Sequence, residues 1–88
     1  MHYVYLLKSI NTHKIYIGYT SNLRKRLKEH MLGKTYTTKR FLPIRCVYYE
    51  AYYCKTDAKL REKMLKQYGS SLQKLKSRIK NCLEGGAG

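Results

Sequence analysis

The sequence predicts a small α/β (α+β) domain in which a three-stranded antiparallel sheet is flanked by about three helices, in the order β-β-α-β-α-α. Three runs rich in β-branched and aromatic residues predict the strands, because such side chains suit a pleated, half-buried surface. Apolar residues that recur every three or four positions predict the helices. The 88 residues make one small domain. We expect it to span residues 1–84, with residues 85–88 as a flexible, glycine-rich tail.

The first two strands are predicted at residues 3–8 and 14–19, on either side of a polar turn. Successive side chains of a strand point to opposite faces, so Tyr16 and Gly18 share the face that the two isoleucines leave free. A glycine weakens a strand interior unless a backbone or a ligand must approach closely there. Gly18 therefore indicates a place of close approach.

The first helix is predicted at residues 23–32, with Ser21 or Asn22 as its N-cap and Gly33 at its end. A basic helix of this kind buries its apolar stripe and exposes the rest. The stripe should consist of three residues spaced four apart: Leu23, Leu27 and Met31.

The same helix carries a polar pair with the same spacing. Arg26 and His30 are four residues apart, so they should lie one above the other beside the apolar stripe. Arg24 points elsewhere, to solvent or to a phosphate.

Residues 33–42 are predicted to form a loop with three basic residues: Lys34, Lys39 and Arg40. The threonine hydroxyls of the loop and Tyr36 are candidates for hydrogen bonds to a nucleic-acid backbone. An ordinary solvated connector fits the same composition equally well. The third strand follows at residues 44–53, whose length and aromatic content predict a central or a long edge strand.

Two further helices are predicted after the third strand. The first has Thr56 as its N-cap, runs to about Tyr68 and stops at Gly69. Its buried stripe should be Leu60, Met64 and Tyr68, broadened by Leu65. Ser70 or Ser71 should cap the last helix. The amphipathic face of that helix consists of Leu72, Leu75, Ile79 and Cys82 or Leu83.

The net charge of +14 is the dominant global property of the chain. The chain has nineteen Lys and Arg residues and only five acidic ones. The excess positive charges repel one another in a compact fold unless a polyanion or salt screens them. A solubilising surface is the alternative explanation. So large an excess in so small a domain favours a nucleic-acid partner.

The cysteines indicate a reducing compartment. Cys46, Cys54 and Cys82 are odd in number and lack CxxC spacing, and the three histidines do not complete a zinc pattern. We interpret them as reduced thiols of a cytosolic protein. No apolar run is long enough to span a membrane, and a strand is predicted directly after Met1, which predicts no signal peptide. A cytoplasmic location is therefore expected.

Taken one at a time, the candidate site residues have ordinary explanations. Tyrosines on neighbouring strands, such as Tyr5 and Tyr16, are more often core aromatics with solvated hydroxyls. Arg26 alone would be a surface charge, and His30 near a helix C-terminus suits the helix dipole. Glu62, among basic neighbours, would be a salt-bridge partner of little energetic weight. Residue types alone favour a nucleic-acid-binding domain over an enzyme.

The order and spacing of these residues, however, resemble the GIY-YIG nuclease domain. The motifs are Tyr3-Val4-Tyr5, Tyr16-Ile17-Gly18 eleven residues later, Leu23-x-x-Arg26-Leu27-x-x-His30, and Glu62 in a later helix. The resemblance covers about residues 2–80. It is to the short stand-alone members, which are related to the nuclease domain of the excision-repair incision subunit and to phage homing endonucleases. One position departs from the pattern, because Tyr3 stands where the family name has Gly.

The resemblance implies a one-metal phosphodiester hydrolase. Glu62 would be the sole protein carboxylate on a hydrated Mg²⁺ or Mn²⁺. Arg26 would clamp the phosphoryl oxygens of the transition state. Tyr16 would receive the proton of the attacking water, and Tyr5 would orient that water or the Tyr16 phenol. His30 would hydrogen-bond the tyrosine or the phosphate.

The resemblance also implies supporting roles: Gly18 would leave room for substrate, and Tyr19 would be a polar residue beside the site. Phosphate contacts would come from Arg24, Lys34, Lys39 and Arg40, which position a backbone and do not read bases. We therefore expect an endonuclease of low sequence specificity, with DNA as its partner, steep salt dependence, and a preference for single strands, flaps or branches in DNA repair or processing. Two alternatives stay open: a non-catalytic DNA- or RNA-binding module with this fold, and a subunit that needs a partner protein for activity.

Overall fold

The computed structural model describes residues 1–85 and confirms the predicted fold class and element order. The sheet consists of β1 (His2–Ser9), β2 (Ile15–Thr20) and β3 (Ile44–Tyr52). The helices of the described chain are α1 (Leu23–Met31), α2 (Lys55–Gln67), α3 (Gly69–Arg78) and the short α4 (Lys80–Leu83). The predicted tail lies outside the described residues except for Gly85. Within residues 1–85, no helix is both long and apolar enough to cross a membrane.

The three strands pair antiparallel in the order β2-β1-β3, so β1 is central and β3 is an edge strand. The register places Tyr5 of β1 opposite Gly18 of β2 and opposite Tyr49 of β3. Residues directly opposite each other in a sheet point to the same face. One face of the sheet therefore presents Tyr5 with a glycine on one side and a tyrosine on the other.

One face of the sheet packs against α2 and α3. The core between these layers consists of six buried residues: Val4, Leu6, Ile17, Ala58, Leu65 and Leu75. Removing this apolar surface from water is the main source of stability for a domain of this size. Helices α2 and α3 are thereby fixed on the side of the sheet away from Tyr5.

The opposite face packs against α1 and a 3₁₀ turn, Lys39–Phe41. Its smaller core is built around Tyr5, Leu7 and Ile44, with Tyr16, Leu23, Leu27, Phe41 and Cys46 packed against it. Side chains of β1 alternate between the two cores, so the central strand holds both layers together. The position of α1 on the Tyr5 face is what brings Arg26 and His30 to the sheet.

Helix α1 begins at one of the caps that the sequence predicts. The side chain of Asn22 accepts a hydrogen bond from the backbone N–H of Lys25 at 3.1 Å. The predicted apolar stripe is wrong at its last position, because Met31 is 52% exposed and His30 takes the buried place. A buried imidazole is tolerated there because both of its ring nitrogens have polar partners.

Helix α2 buries a different face from the predicted one. The predicted stripe is largely exposed: Leu60, Met64 and Tyr68. Leu65, which was predicted to broaden the stripe, is buried as expected, and Ala58 is buried with it. Between them Arg61 points at the sheet, where its Nε and Nη2 donate to the carboxylate of Glu50 on β3, each at 3.0 Å from the nearer oxygen. The helix is oriented by this ion pair as well as by apolar burial, and hydropathy alone does not reveal it.

The predicted caps of the later helices are also wrong. Helix α2 begins at Lys55, with Cys54 in the N-cap position, so Thr56 lies inside the helix. Tyr68 is extended, ends α2 and precedes α3, which places both predicted serine caps within α3. Ile79 leaves the helical conformation and divides the predicted last helix into α3 and α4.

Candidate active site

Tyr5 occupies the centre of the candidate site. Its side chain is 1% exposed, and the ring lies directly over Gly18 of the neighbouring strand. A Cβ atom at position 18 would overlap the end of the Tyr5 ring. The close approach that the glycine indicated is therefore made by a tyrosine of the protein. The expectation that Gly18 leaves room for substrate is wrong, because Tyr5 fills that space.

A chain of buried hydrogen bonds starts at the Tyr5 hydroxyl. The hydroxyl lies 2.8 Å from Nε2 of His30, and Nδ1 of His30 lies 2.7 Å from the hydroxyl oxygen of Thr38. His30 and Thr38 are both fully buried. Both ring nitrogens are thus engaged by the protein, so in this arrangement His30 binds the tyrosine and has no nitrogen left for a phosphate.

Burial sets the protonation states in this chain. It raises the pKa of Tyr5 to about 12, although the neighbouring Arg26 guanidinium acts in the opposite direction. Burial, followed by the positive charge of Arg26, lowers the pKa of His30 below the ordinary imidazole value. At neutral pH the phenol is therefore protonated and the imidazole is neutral. This pair can hold a proton in a fixed position, which suits orientation better than proton abstraction.

Tyr16 is the tyrosine of this cluster that reaches solvent. Its ring centroid lies 5.4 Å from that of His30 and 6.3 Å from that of Tyr5. Tyr16 is half-buried, whereas the other two side chains are enclosed. A water molecule or a substrate phosphate can therefore approach the Tyr16 hydroxyl more readily than the hydroxyl of Tyr5.

Arg26 reaches the cluster from α1. Its positive charge acts to lower the pKa of both Tyr5 and His30. Its Nη1 donates a hydrogen bond to Oε1 of Glu29 at 3.1 Å. Both side chains are about one-third exposed, so the guanidinium keeps donors available to a ligand. Sequence reasoning missed Glu29, although its three-residue spacing from Arg26 on a helix is a usable signal.

Thr38 is the other residue that sequence reasoning missed. The threonine hydroxyls of its loop were candidates for hydrogen bonds to a nucleic acid, and Thr38 is not available for one because its side chain is buried against His30. No periodicity marks such a position, because the loop has no regular structure before its 3₁₀ turn. The four residues expected to contact phosphates are all exposed: Arg24, Lys34, Lys39 and Arg40.

Glu62 stands apart from these side chains. It lies on α2, where its two carboxylate oxygens accept hydrogen bonds from Lys59 at 3.2 Å and Lys66 at 3.0 Å. Its negative charge contributes to the raised pKa of Tyr5, so the two groups are within electrostatic reach of each other. The structure thus brings four predicted site residues into one cluster, and the fifth, Glu62, lies on the helix that packs against the other face of the sheet.

Tyr19 lies with Glu62 and not with the tyrosine cluster. The ring of Tyr19 is covered by Nζ of Lys59, 4.8 Å from the centroid, and its hydroxyl lies 2.8 Å from Nδ1 of His2. Alternation along β2 sends Tyr19 and Tyr16 to opposite faces of the sheet. Because β2 is an edge strand, a ligand that lies along this edge can contact side chains from both faces.

The carboxylate of Glu62 fits a hydrated divalent cation, and the described residues offer it no cage. Within residues 1–85, no three His, Cys, Asp or Glu side chains are grouped so as to hold a metal ion. Mg²⁺ is commonly held by one or two carboxylates, its own waters and substrate phosphates, which a lone glutamate satisfies. Lys59 and Lys66 are about half exposed, so both ammonium groups can move aside for a cation.

Comparison with known proteins matches residues 1–76 to the family described as the GIY-YIG catalytic domain. A UPF0213 protein of Staphylococcus haemolyticus is 40% identical over 76 residues, which cover 85% of this chain and 90% of the relative. A UPF0213 protein of Streptococcus pyogenes serotype M3 is 39% identical over 75 residues, or 83% and 79% of the two chains. One from Clostridium perfringens is 41% identical over 69 residues, or 76% and 72%. No solved structure matches the chain significantly.

Proposed function

The chain belongs to the GIY-YIG family, and we propose that it is a metal-dependent endonuclease that hydrolyses phosphodiester bonds of DNA with low sequence specificity. The family is one of nuclease domains, so nuclease activity in general follows from membership. One observation supports the finer proposal most directly. A phenol, a guanidinium and a buried phenol–imidazole pair, from two strands and one helix, converge on one face of the sheet.

In the proposed reaction, Tyr16 first loses its hydroxyl proton to solvent and, as a phenolate, receives a proton from the attacking water. The water oxygen forms a bond to phosphorus and the bond from phosphorus to the 3′ oxygen breaks. The proton taken by Tyr16 passes to solvent, and the 3′ oxygen takes a proton from solvent, which leaves a 3′ hydroxyl and a 5′ phosphate. Tyr16 is given this role because its side chain is only partly buried, whereas that of Tyr5 is enclosed and protonated.

Arg26 binds the non-bridging oxygens of the scissile phosphate. A guanidinium suits this task because its planar donors match phosphate oxygens and remain charged. Glu29 holds one side of the guanidinium, which leaves the opposite side for the ligand. Tyr5 and His30 act as positioning residues that fix the Tyr16 ring, with which both are in contact.

Glu62 is the residue that would hold Mg²⁺ or Mn²⁺, with water and phosphate oxygens as the remaining ligands. When bound, such an ion would neutralise negative charge on the scissile phosphate and stabilise the leaving oxygen. Release of Lys59 and Lys66 from the carboxylate would leave their ammonium groups free for neighbouring phosphates.

The substrate class follows from charge. A net charge of +14 on 88 residues attracts a polyanion and gives an affinity that falls steeply with salt. Exposed lysines and arginines contact phosphates and carry little sequence information. Low sequence specificity is therefore part of the proposal. We add to it a setting in DNA repair or processing and a cytoplasmic location.

A non-catalytic DNA- or RNA-binding module is the second candidate. The observation that favours it is the pairing of Glu62 with two lysines, which neutralise the carboxylate where a catalytic site would need it free. In this case the charge and the fold would serve binding alone. A subunit that needs a partner protein to present DNA would likewise bind DNA in isolation without cleaving it.

The test is cleavage of labelled single-stranded, duplex and flapped DNA with Mg²⁺ or Mn²⁺. Glu62→Gln and Tyr16→Phe should slow cleavage by roughly 10²–10⁴-fold, the usual contribution of a general base or a comparable catalytic group, and a chelator should abolish it. The exposed Tyr68→Phe is the matched control and should cleave like the wild type. Equal rates for all variants would contradict the catalytic proposal. Tight binding without cleavage would favour the binding module.

A further inference from the structure

A second feature of the surface lies on the other side of α1 from Arg26. A groove of about 820 Å³ runs between α1 and the β3 side of the sheet. Its floor is apolar and aromatic, with Tyr3, Leu27 and Tyr49 among the lining residues. Arg24 and Lys28 stand four residues apart on α1 and form a basic rim.

The two tyrosines of the groove form an exposed aromatic pair. The ring centroids of Tyr3 and Tyr49 lie 6.2 Å apart in an edge-to-face arrangement, and Tyr49 is 57% exposed. Tyr49 is directly opposite Tyr5 in the sheet, and Tyr3 precedes Tyr5 by two residues on the same face. The pair is therefore adjacent to the candidate active site, on its β3 side.

The charge around the groove limits its occupant. None of its lining residues in the described chain is acidic, and the whole chain carries +14. A second copy of this chain would bring the same positive charge and be repelled, whereas a polyanion would be attracted. Aromatic rings beside basic side chains are the arrangement with which proteins bind unpaired nucleic-acid strands, since bases stack on the rings and phosphates meet the cations.

We propose that this groove binds an unpaired nucleic-acid strand, with bases stacked on Tyr49 and Tyr3 and phosphates held by Arg24 and Lys28. The proposal rests on the proposed function, because it identifies the unpaired region of a flap or single strand as the part of the substrate beside the cleaved bond. A duplex keeps its bases stacked on one another, so it cannot use the aromatic pair. The groove thus selects substrate structure without reading sequence.

The test measures affinity by fluorescence anisotropy in the presence of a chelator, so that nothing is cleaved. The probes are labelled oligothymidylate, oligouridylate, an abasic DNA strand of the same length and a duplex. Tyr49→Ala should weaken binding to oligothymidylate by about five-fold or more. This factor corresponds to the lower end of the binding free energy that one base stacked on one aromatic ring contributes. The abasic strand should bind wild type and variant equally. Comparison with oligouridylate shows whether DNA or RNA is preferred.

Matched variants separate stacking from loss of structure. Tyr49→Phe retains the ring and should retain affinity, whereas Tyr49→Leu retains apolar bulk and should lose it. Tyr68→Ala removes a tyrosine of nearly equal exposure, 56%, at the end of α2 and should bind normally. Equal losses on the abasic strand and on oligothymidylate would overturn the proposal. So would sedimentation that shows a dimer in wild type and a monomer in Tyr49→Ala, because the groove would then be a protein interface.

These results are independent of cleavage. The affinities are measured with a chelator present, so they do not depend on whether the candidate active site cleaves any substrate. Suppose that no substrate is cleaved, but Tyr49→Ala weakens binding to oligothymidylate and not to the abasic strand. The catalytic proposal then fails and the groove proposal stands. If substrates are cleaved but Tyr49→Ala binds like wild type, only the groove proposal fails.

Discussion

The hydroxyl of Tyr5 and Nε2 of His30 are 2.8 Å apart, and both side chains are buried. A buried polar group that loses its partner is costly, so each residue requires the other. The pair is completed by Thr38, which binds the second imidazole nitrogen. A protonated phenol and a neutral imidazole are thus fixed beside Tyr16 before any substrate arrives.

Substitution of Thr38 tests whether it fixes His30. Thr38→Val should destabilise the fold by about 1–3 kcal/mol, because Nδ1 of a buried imidazole loses its partner. Thr38→Ser keeps the hydroxyl and should lose much less. Urea unfolding measures the stabilities, and ¹⁵N chemical shifts of the His30 ring report the tautomer, which Thr38→Val should change. The exposed Thr37→Val is the control, and equal losses for the Val and Ser variants would contradict the assignment.

Gly18 and Gly69 form a matched pair for testing the space over β2. A methyl group at position 18 would overlap the Tyr5 ring, which cannot move freely because His30 holds its hydroxyl. Gly18→Ala should therefore cost about 1–3 kcal/mol, as overpacking does. Nothing lies within 4 Å of a Cβ at Gly69, so Gly69→Ala should be neutral or slightly stabilising. Similar melting temperatures for the two variants would show that Tyr5 does not occupy this space.

The neutral state of His30 makes stability depend on pH. Its pKa is lowered in the folded protein and returns to about 6.5 in the unfolded chain, so the unfolded chain binds more protons in mild acid. This contribution to stability is fully present above the unfolded pKa. It is lost as pH falls from there through the lowered folded pKa.

Urea titrations from neutral pH down to the onset of carboxylate protonation measure this effect. As the pH is lowered, the free energy of unfolding should decrease in the wild type and in the exposed control His13→Gln. The slope over this range should be much reduced in His30→Gln. An unchanged slope in that variant would assign the pH dependence to another group.

Arg61 and Lys59 both pair with a glutamate, and their burial differs. Arg61 binds Glu50 with two donors and its side chain is 25% exposed, whereas the Lys59 side chain is 52% exposed. Arg61→Ala should cost more than the approximately 1 kcal/mol of a surface pair and less than the approximately 3–5 kcal/mol of a fully buried one. Lys59→Ala should fall within the surface range. Denaturant unfolding compares them, and equal losses would show that the Glu50 pair does not orient α2.

Much of this fold could be predicted from sequence, because alternation and apolar spacing act locally. The three strands, the position of α1 and the Asn22 cap all follow from neighbouring residues. The buried face of α2 could not be predicted in this way. Arg61 faces the sheet because Glu50 receives it, and the two residues belong to different elements.

The candidate site, like the fold, could be predicted from the sequence only in part. Spacing within α1 predicted that Arg26 and His30 lie together, and strand alternation predicted the face of Tyr16. Thr38 reaches His30 only through the path of an irregular loop, which no local pattern specifies. The roles of the site residues stay predictions until the variants are measured.

The central position of β1 has a consequence for hydrogen exchange. Amides of a strand paired on both sides, such as that of Tyr5, are released only when the whole domain unfolds. The Arg26 side chain on α1 is about one-third exposed, so it can move without opening the helix. The Tyr5 end of the candidate site should therefore persist through fluctuations that release Arg26, and the least protected part of that site is the side chain that is proposed to bind a phosphate.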